Sequence, residues 1–301
     1  QPYLVESNNA ADLSDAVNKV PGVSIIDGQA TIRGGSGYAY GAGSRVQVLV
    51  DDMPLLTGDL QEVRWNFVPL EHVEQVEVIK GASSSLYGSG ALNGVINIRT
   101  GYAYKEPRTK LNIYQGIYSN PKREELRWWD RVYHPFFSGA FFSHRQRFGN
   151  LDVVVGGNYH SENSYQKEGD DQRIRFNFKT RYKSKKVEGL SYGVNANGMY
   201  QQFGRFFLWK DGNEGAYQPL DGTASNDYYS YVNVDPHLTY FNSNGVKHML
   251  RTRFYNVTRW KNGEEKEAST NTYYAKYQFQ KHFDSDWTIS SGLVYTYNSF
   301  W

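Results

Sequence analysis

The 301-residue chain sets 33 lysines and arginines against 31 aspartates and glutamates, so it makes no basic field that would gather nucleic acid. It has no cysteine, which removes disulfides, thiol chemistry and cysteine metal sites together. No apolar run reaches the roughly 18 residues of a transmembrane helix, yet tyrosine (25), phenylalanine (16) and glycine (29) are abundant.

That composition suits a membrane barrel, in which alternate residues face lipid and aromatics gather at the interfaces. A tyrosine-rich soluble β-sandwich or glycan-binding domain shares it. The chain starts at Gln1 without a signal peptide and reads as processed or trimmed. "NNAADLSDAVNKVPGV" predicts a short helix with Asn8 or Asn9 as N-cap, Leu13, Ala16, Val17 and Val20 on one face, and Pro21 as its stop. Strands are predicted in "SRVQVLVDD" from Ser44 and "HVEQVEVIK" from His72. The result is a small α+β unit.

The glycine-rich run "GASSSLYGSGALNG" follows. It is not a phosphate loop, since no lysine with serine or threonine follows Gly88 or Gly90. Gly88, Gly90 and Gly94 miss the dinucleotide spacing by one residue. Ser83, Ser84, Ser85 and Ser89 lack the flanking pattern of a nucleophile elbow. Glycines and serines that satisfy a tight turn account for the stretch.

From about residue 101 the pattern changes to long alternating segments. In "DQRIRFNFKTRYK", Ile174, Phe176, Phe178, Thr180 and Tyr182 share one face, while Arg173, Arg175, Asn177, Lys179, Arg181 and Lys183 share the other. About nine such strands are predicted, many too long for an ordinary soluble sheet. The turns "FGN", "SKKVE", "NSNG" and "DSD" alternate with the longer connections "NPKREELRWWDRVYH", "SENSYQKEGD", "GRFFLWKDGNEGAYQPLDGTAS" and "KNGEEKEAST". Short turns at one end and longer loops at the other mark an outer-membrane barrel. Nine strands do not close a single-chain bacterial barrel, which needs an even number, so the chain reads as incomplete.

The ordered motifs "LSDAVNKVPGVSI", "ATIRGG", "RVQVLVDDMPL" and "VEQVEVIKGASSSLYGSGALNGVINIRT", over about Ala11 to Thr100, resemble the plug domain of TonB-dependent outer-membrane receptors of the siderophore, haem and cobalamin type. The resemblance implies a plug over 1–100 and the N-terminal part of a transmembrane barrel over 101–301, holding about nine of roughly 22 strands that enclose a plugged lumen. It implies active import of a scarce nutrient across the outer membrane of a Gram-negative bacterium, driven by the inner-membrane TonB complex. The expected partners are TonB, a small ligand such as a metal chelate, and outer-membrane lipid. Neither a cofactor nor enzymatic chemistry is expected. Two other readings stay open: a glycan or peptide importer with a lipoprotein lid, and a non-transporting adhesin or binding protein.

By the same resemblance, Arg33, Glu77 and Lys80, with Glu74 nearby, join an ionic lock between plug and barrel; lysine stands at 80 where the family usually has arginine. Two plug apices, "SGYAYGAGS" and "LLTGDLQEVRWNF", are placed toward the vestibule. Tyr38, Tyr40, Trp65 and Asn66 there offer stacking and polar contacts to a ligand, and the loop aromatics Trp128, Trp129, Phe207 and Trp209 close over it. The histidines show no paired metal-ligand spacing, and "DGNEG" fails the calcium-loop pattern. The five cations of "DQRIRFNFKTRYK" either pair with plug carboxylates or favour an anionic permeant.

Overall fold

The computed structural model describes residues 13–26, 28–34, 45–58, 62–81, 87, 89–130, 132–261, 265–283 and 287–301. Asn8 and Asn9, the apex "SGYAYGAGS" and the turn at 284–286 lie outside them. Helix α1 (Leu13–Asn18) buries Leu13, Ala16 and Val17, the face that the apolar spacing predicts. It packs on the two-stranded sheet of β1 (Val23–Ile26) and β2 (Gln29–Ile32).

A second sheet contains β3 (Val46–Val50), β4 (Met53–Pro54), β5 (Val73–Lys80) and β6 (Gly94–Thr100) in the order β4-β3-β6-β5. Strands β3 and β6 run parallel, with Val46 opposite Gly94. They are buried almost throughout, as continuous valine and isoleucine runs require. The glycine-rich stretch joins β5 to β6 antiparallel. Gly94 enters β6 at φ +145°, and a Cβ there would overlap the Ile79 carbonyl oxygen and lie 2.7 Å from Ile32 Cδ1. No other residue fits that junction.

The third sheet has nine antiparallel strands in sequence order: β7 (Arg108–Ile117), β8 (Phe136–Phe148), β9 (Leu151–Asn163), β10 (Asp171–Lys183), β11 (Leu190–Arg205), β12 (Ser225–Phe241), β13 (Val246–Lys261), β14 (Glu265–His282) and β15 (Thr288–Phe300). This is the wall. Its strands match the nine expected from alternation. One connection differs: β13 and β14 stay paired as far as Lys261 opposite Glu265, with a bulge near Arg259. The part of "KNGEEKEAST" from Glu265 on, read as loop, is therefore strand, because ladder hydrogen bonds take up its polar groups; 262–264 lie outside the described residues. The connections at 118–135, 164–170 and 206–224 are long, and all lie at that same end of the sheet.

The plug sits against the concave face of the wall. Phe67, fully buried, lies between two wall tyrosines, its ring 5.7 Å from that of Tyr231 and 5.5 Å from that of Tyr255. One apolar cluster therefore runs from α1 through β3 and β6 to Met199, Tyr231 and Val257 of the wall. On the other side of the wall, Ile174, Phe176 and Phe178 are exposed, as a lipid-facing row would be.

Gly94→Ala tests the β5–β6 junction. Strain at that φ and the clash with the Ile79 carbonyl together cost on the order of 1–3 kcal/mol or more, read as a lower urea midpoint for the plug with wall strands unchanged by circular dichroism.

Candidate functional site

Adjacent residues of a strand point to opposite faces, and on β10 the inward series Asp171, Arg173, Arg175, Asn177 and Lys179 is buried. Cations so placed need partners, and the plug supplies them. Arg175 Nη2 lies 2.6 Å from Glu71 Oε2, with the two side chains 3% and 4% exposed. Its Nη1 donates to the carbonyls of Asn66 and Val68 at 2.5 and 2.7 Å. The short 3-10 helix Trp65–Phe67 leaves such terminal carbonyls without a partner of its own. Asn177 Nδ2 donates to the second oxygen of Glu71 at 2.6 Å.

Further along β10, Lys179 Nζ donates to Asp51 Oδ2 at 3.0 Å and to the carbonyl and hydroxyl of Thr100 at 2.9 and 2.6 Å. The register of β3 and β4, Val50 opposite Met53, leaves Asp51 and Asp52 as a two-residue turn with φ of +51° and +68°. Hairpin turns of this kind need positive φ at both central positions, which aspartate tolerates. The turn sends Asp51 to the wall and Asp52 to Arg99 within the plug, 2.6 Å away. Burial pushes the Asp51 carboxyl up, but Lys179 and the Thr100 hydrogen bonds outweigh it and hold the group below its usual range.

Two more wall arginines reach the plug. Arg253 is bidentate to Asp235 of β12, at 2.9 and 2.6 Å, and donates to the carbonyls of Met53 and Pro54 at 3.2 and 2.8 Å. Arg145 Nη1 lies 2.7 Å from Glu74 Oε1. The seam thus sets plug carboxylates against wall cations, in charge-assisted contacts that are stronger than neutral ones.

Of the residues expected in the lock, only Glu74 pairs with the wall among the described residues. Glu77 lies 3.5 Å from Arg99 and Lys80 donates to the Pro21 carbonyl at 2.6 Å, both inside the plug. Arg33 is exposed in a left-handed turn and joins no ion pair among the described residues. The alternating pattern exposed the wall half of the seam; the plug half, Asp51 and Glu71, was missed. Two acids in a turn beside a strand with surplus cations were the available signal.

Next to Glu71, His72 is 2% exposed. Burial, with Arg145, Arg175 and Lys179 nearby, pushes its imidazole down to about 3, so it is neutral at ordinary pH.

Above the seam, toward the long connections, the wall is aromatic and polar. Tyr114 stacks on Phe141 and His160, at 5.3 and 6.0 Å, and its hydroxyl is 2.8 Å from His160 Nδ1. Tyr118 donates to Glu162 at 2.6 Å. Asp171 pairs with Arg173 at 2.5 Å and accepts from Gln201 at 2.9 Å, while Asp227 holds Arg205 and Arg259, each at 2.9 Å. Apart from Arg173, counted among the β10 cations, none of these residues was picked from the sequence, where a lone histidine or tyrosine carries no address.

Asn66 enters this region, its Nδ2 3.3 Å from Gln201 Oε1. Trp65 does not present its ring there: it is 5% exposed, and its indole donates to the Gly28 carbonyl at 2.8 Å. Trp128 donates to the Tyr165 carbonyl at 2.7 Å and meets Trp129 edge to face at 5.9 Å. Phe207 and Trp209 are 60% and 56% exposed. Tyr38 and Tyr40 lie outside the described residues. Among the described residues no helix is long and apolar enough to cross a membrane, and no group of three or more histidine, aspartate or glutamate side chains is placed to hold a metal ion.

Comparison with known proteins gives the following. Residues 3–95 match the family model "TonB-dependent Receptor Plug Domain". A probable TonB-dependent siderophore receptor, PirA of Acinetobacter baumannii, is 32% identical over 117 residues, covering 34% of this chain and 16% of that protein. The vitamin B12 transporter BtuB of Photobacterium profundum is 30% identical over 102 residues, 33% of this chain and 16% of that one. Among solved structures, the siderophore receptor PirA from Pseudomonas aeruginosa superposes with a TM-score of 0.70 at 17% identity, over 96% of this chain and 45% of that one. The FrpB iron transporter from Neisseria meningitidis does so at 0.70 and 16%, over 99% and 48%. The chain therefore spans about half the length of these structures, and the likeness is one of fold.

Glu71→Gln leaves the buried Arg175 without a counter-charge. It is expected to destabilise the seated plug by about 3–5 kcal/mol, against less than about 0.5 kcal/mol for Lys80→Ala, measured by urea unfolding of the detergent-solubilised receptor. His72 binds protons more readily when unfolded, at 6.5 against about 3 in place. Its contribution is therefore full above 6.5 and is lost progressively as pH falls toward 3. His72→Gln is expected to flatten that part of the stability-against-pH curve.

Proposed function

Because the chain is a TonB-dependent receptor in its plug and barrel strands, we propose that it serves in the active import of a small, scarce nutrient across a Gram-negative outer membrane. The single observation that supports this most is the seam. A plug held by Glu71 and Asp51 to buried wall cations blocks diffusion past this wall, so a solute passes only if work is done on the plug. On this reading TonB supplies the work from the inner-membrane proton gradient, and the protein's own task is binding and gating rather than bond chemistry. Ligand binding outside and pulling from inside act by favouring different plug positions.

The ligand is held in the vestibule. Asn66, Trp128, Trp129, Phe207 and Trp209, with Tyr38 and Tyr40, are the proposed contacts. Tyr114, Tyr118, Asp171 and Arg173 line the wall beneath. Stacking surfaces beside a few fixed charges suit an amphipathic chelate or corrinoid, which agrees with the iron and vitamin B12 transporters among its relatives.

The test is uptake by the intact receptor, expressed in cells lacking their own importers, of labelled ferric siderophores, haem and cobalamin. One class is expected to accumulate, to stop accumulating when TonB is deleted or the proton gradient collapsed, and still to bind the surface. Binding without energy-dependent uptake would mean an adhesin or binding protein. A co-purifying lipoprotein, with uptake of oligosaccharide or peptide instead, would mean a polymer importer.

A further inference from the structure

Between the plug and strands β10 to β13 lies a cavity of about 40 Å³ whose lining includes His72, Asn177, Asn195, Asn197 and the carboxylates Asp51 and Asp235. Four buried atoms on it have no hydrogen-bond partner among the described residues: His72 Nε2, Asn177 Oδ1, Asn195 Oδ1 and Asn197 Oδ1. Two of the amides cannot simply be turned round. Asn177 Nδ2 is engaged by Glu71 and Asn197 Nδ2 by the Phe67 carbonyl, each at 2.6 Å, so the oxygens are what face the cavity. His72 lines the cavity too, its Nε2 is without a partner, and the neutral ring has one donor and one acceptor nitrogen.

Three of the four are amide oxygens and the fourth is an imidazole nitrogen, and buried polar atoms of this kind are almost always satisfied. Their occupant must donate in three directions and meet the His72 nitrogen in a fourth. A cation is disfavoured, since Arg145, Arg175 and Lys179 already surround His72 and Arg253 lines the cavity. Asp51 and Asp235 are occupied by Lys179 and Arg253. Water needs about 10–15 Å³ of such space per molecule, so a volume of about 40 Å³ admits roughly three or four. Two waters already carry four O–H groups and four lone pairs, enough to serve all four atoms.

We propose that this cavity is a two-water site that bridges His72 of the plug to Asn177, Asn195 and Asn197 of the wall. The rest of the seam is joined by direct ion pairs and carbonyl contacts, which must be broken outright for the plug to move. At this point the join is made through water, whose bonds incoming solvent replaces one for one.

The test uses the full-length receptor. A structure at a resolution that shows ordered water is expected to place two waters within hydrogen-bond distance of the four atoms. Water-oxygen relaxation dispersion is expected to count two long-lived waters more in the wild type than in Gly156→Ala, whose Cβ would stand 2.7 Å from His72 Nε2 and 2.9 Å from Asn177 Oδ1. Asn195→Leu, which removes one acceptor without touching the ion pairs, is expected to lose one water and serves if Gly156→Ala does not fold. A dry cavity in the wild type overturns the proposal. So does a peak with the short coordination distances of a cation, or one of the four atoms found paired directly with a protein donor.

Discussion

A guanidinium or ammonium group taken out of water must be paired, and the inner face of this wall carries several that are. Arg175, Lys179 and Arg253 are buried, and on an empty wall each would face a wide polar lumen. With the plug seated, each finds a carboxylate or a set of carbonyls at hydrogen-bond distance. The ion pairs need not add much net stability, because desolvation consumes most of the Coulomb gain. What they impose is position. A plug displaced by one residue leaves charges buried and alone, and that penalty is steep where mispacking of aliphatic side chains would be gradual.

The apolar part of the join is smaller and central. Phe67 projects from the 3-10 helix that also offers the Asn66 and Val68 carbonyls to Arg175, so one short element carries both the ring between the wall tyrosines and the acceptors beside it. Trp65, two residues earlier, is turned inward and fixed to Gly28. The same helix also brings Asn66 to Gln201 below the vestibule. Three separate joins to the wall are therefore built on a single segment of fewer than ten residues, with Glu71 at its far end.

The sequence made the architecture readable because the two periods it relies on are local. Strand alternation is a property of consecutive residues, and it gave the nine wall strands and the inward set on β10. The plug came from the resemblance of its ordered motifs. The partners across the seam are set by tertiary placement, 71 to 200 positions apart in the chain, and no local pattern encodes them. Lys80 and Glu77 look equivalent to Glu74 in "VEQVEVIK", yet β5 turns only part of itself to the wall. Trp65 looks like a surface aromatic in the sequence, and the hairpin carbonyl that takes its N–H is 37 residues away. The first residues of β14, from Glu265, were missed for a related reason: polar residues in a strand that continues past the loop border read as loop.

Much of the wall's hold on the plug is directed at main chain. Arg175 takes the carbonyls of Asn66 and Val68, Arg253 those of Met53 and Pro54, and Asn197 that of Phe67. A carbonyl is present whatever side chain is attached to it. Plug sequence can therefore drift at these positions without losing its seat, while the arginines of the wall have no such latitude. A plug that carries other side chains at these positions still presents the same acceptors to this wall.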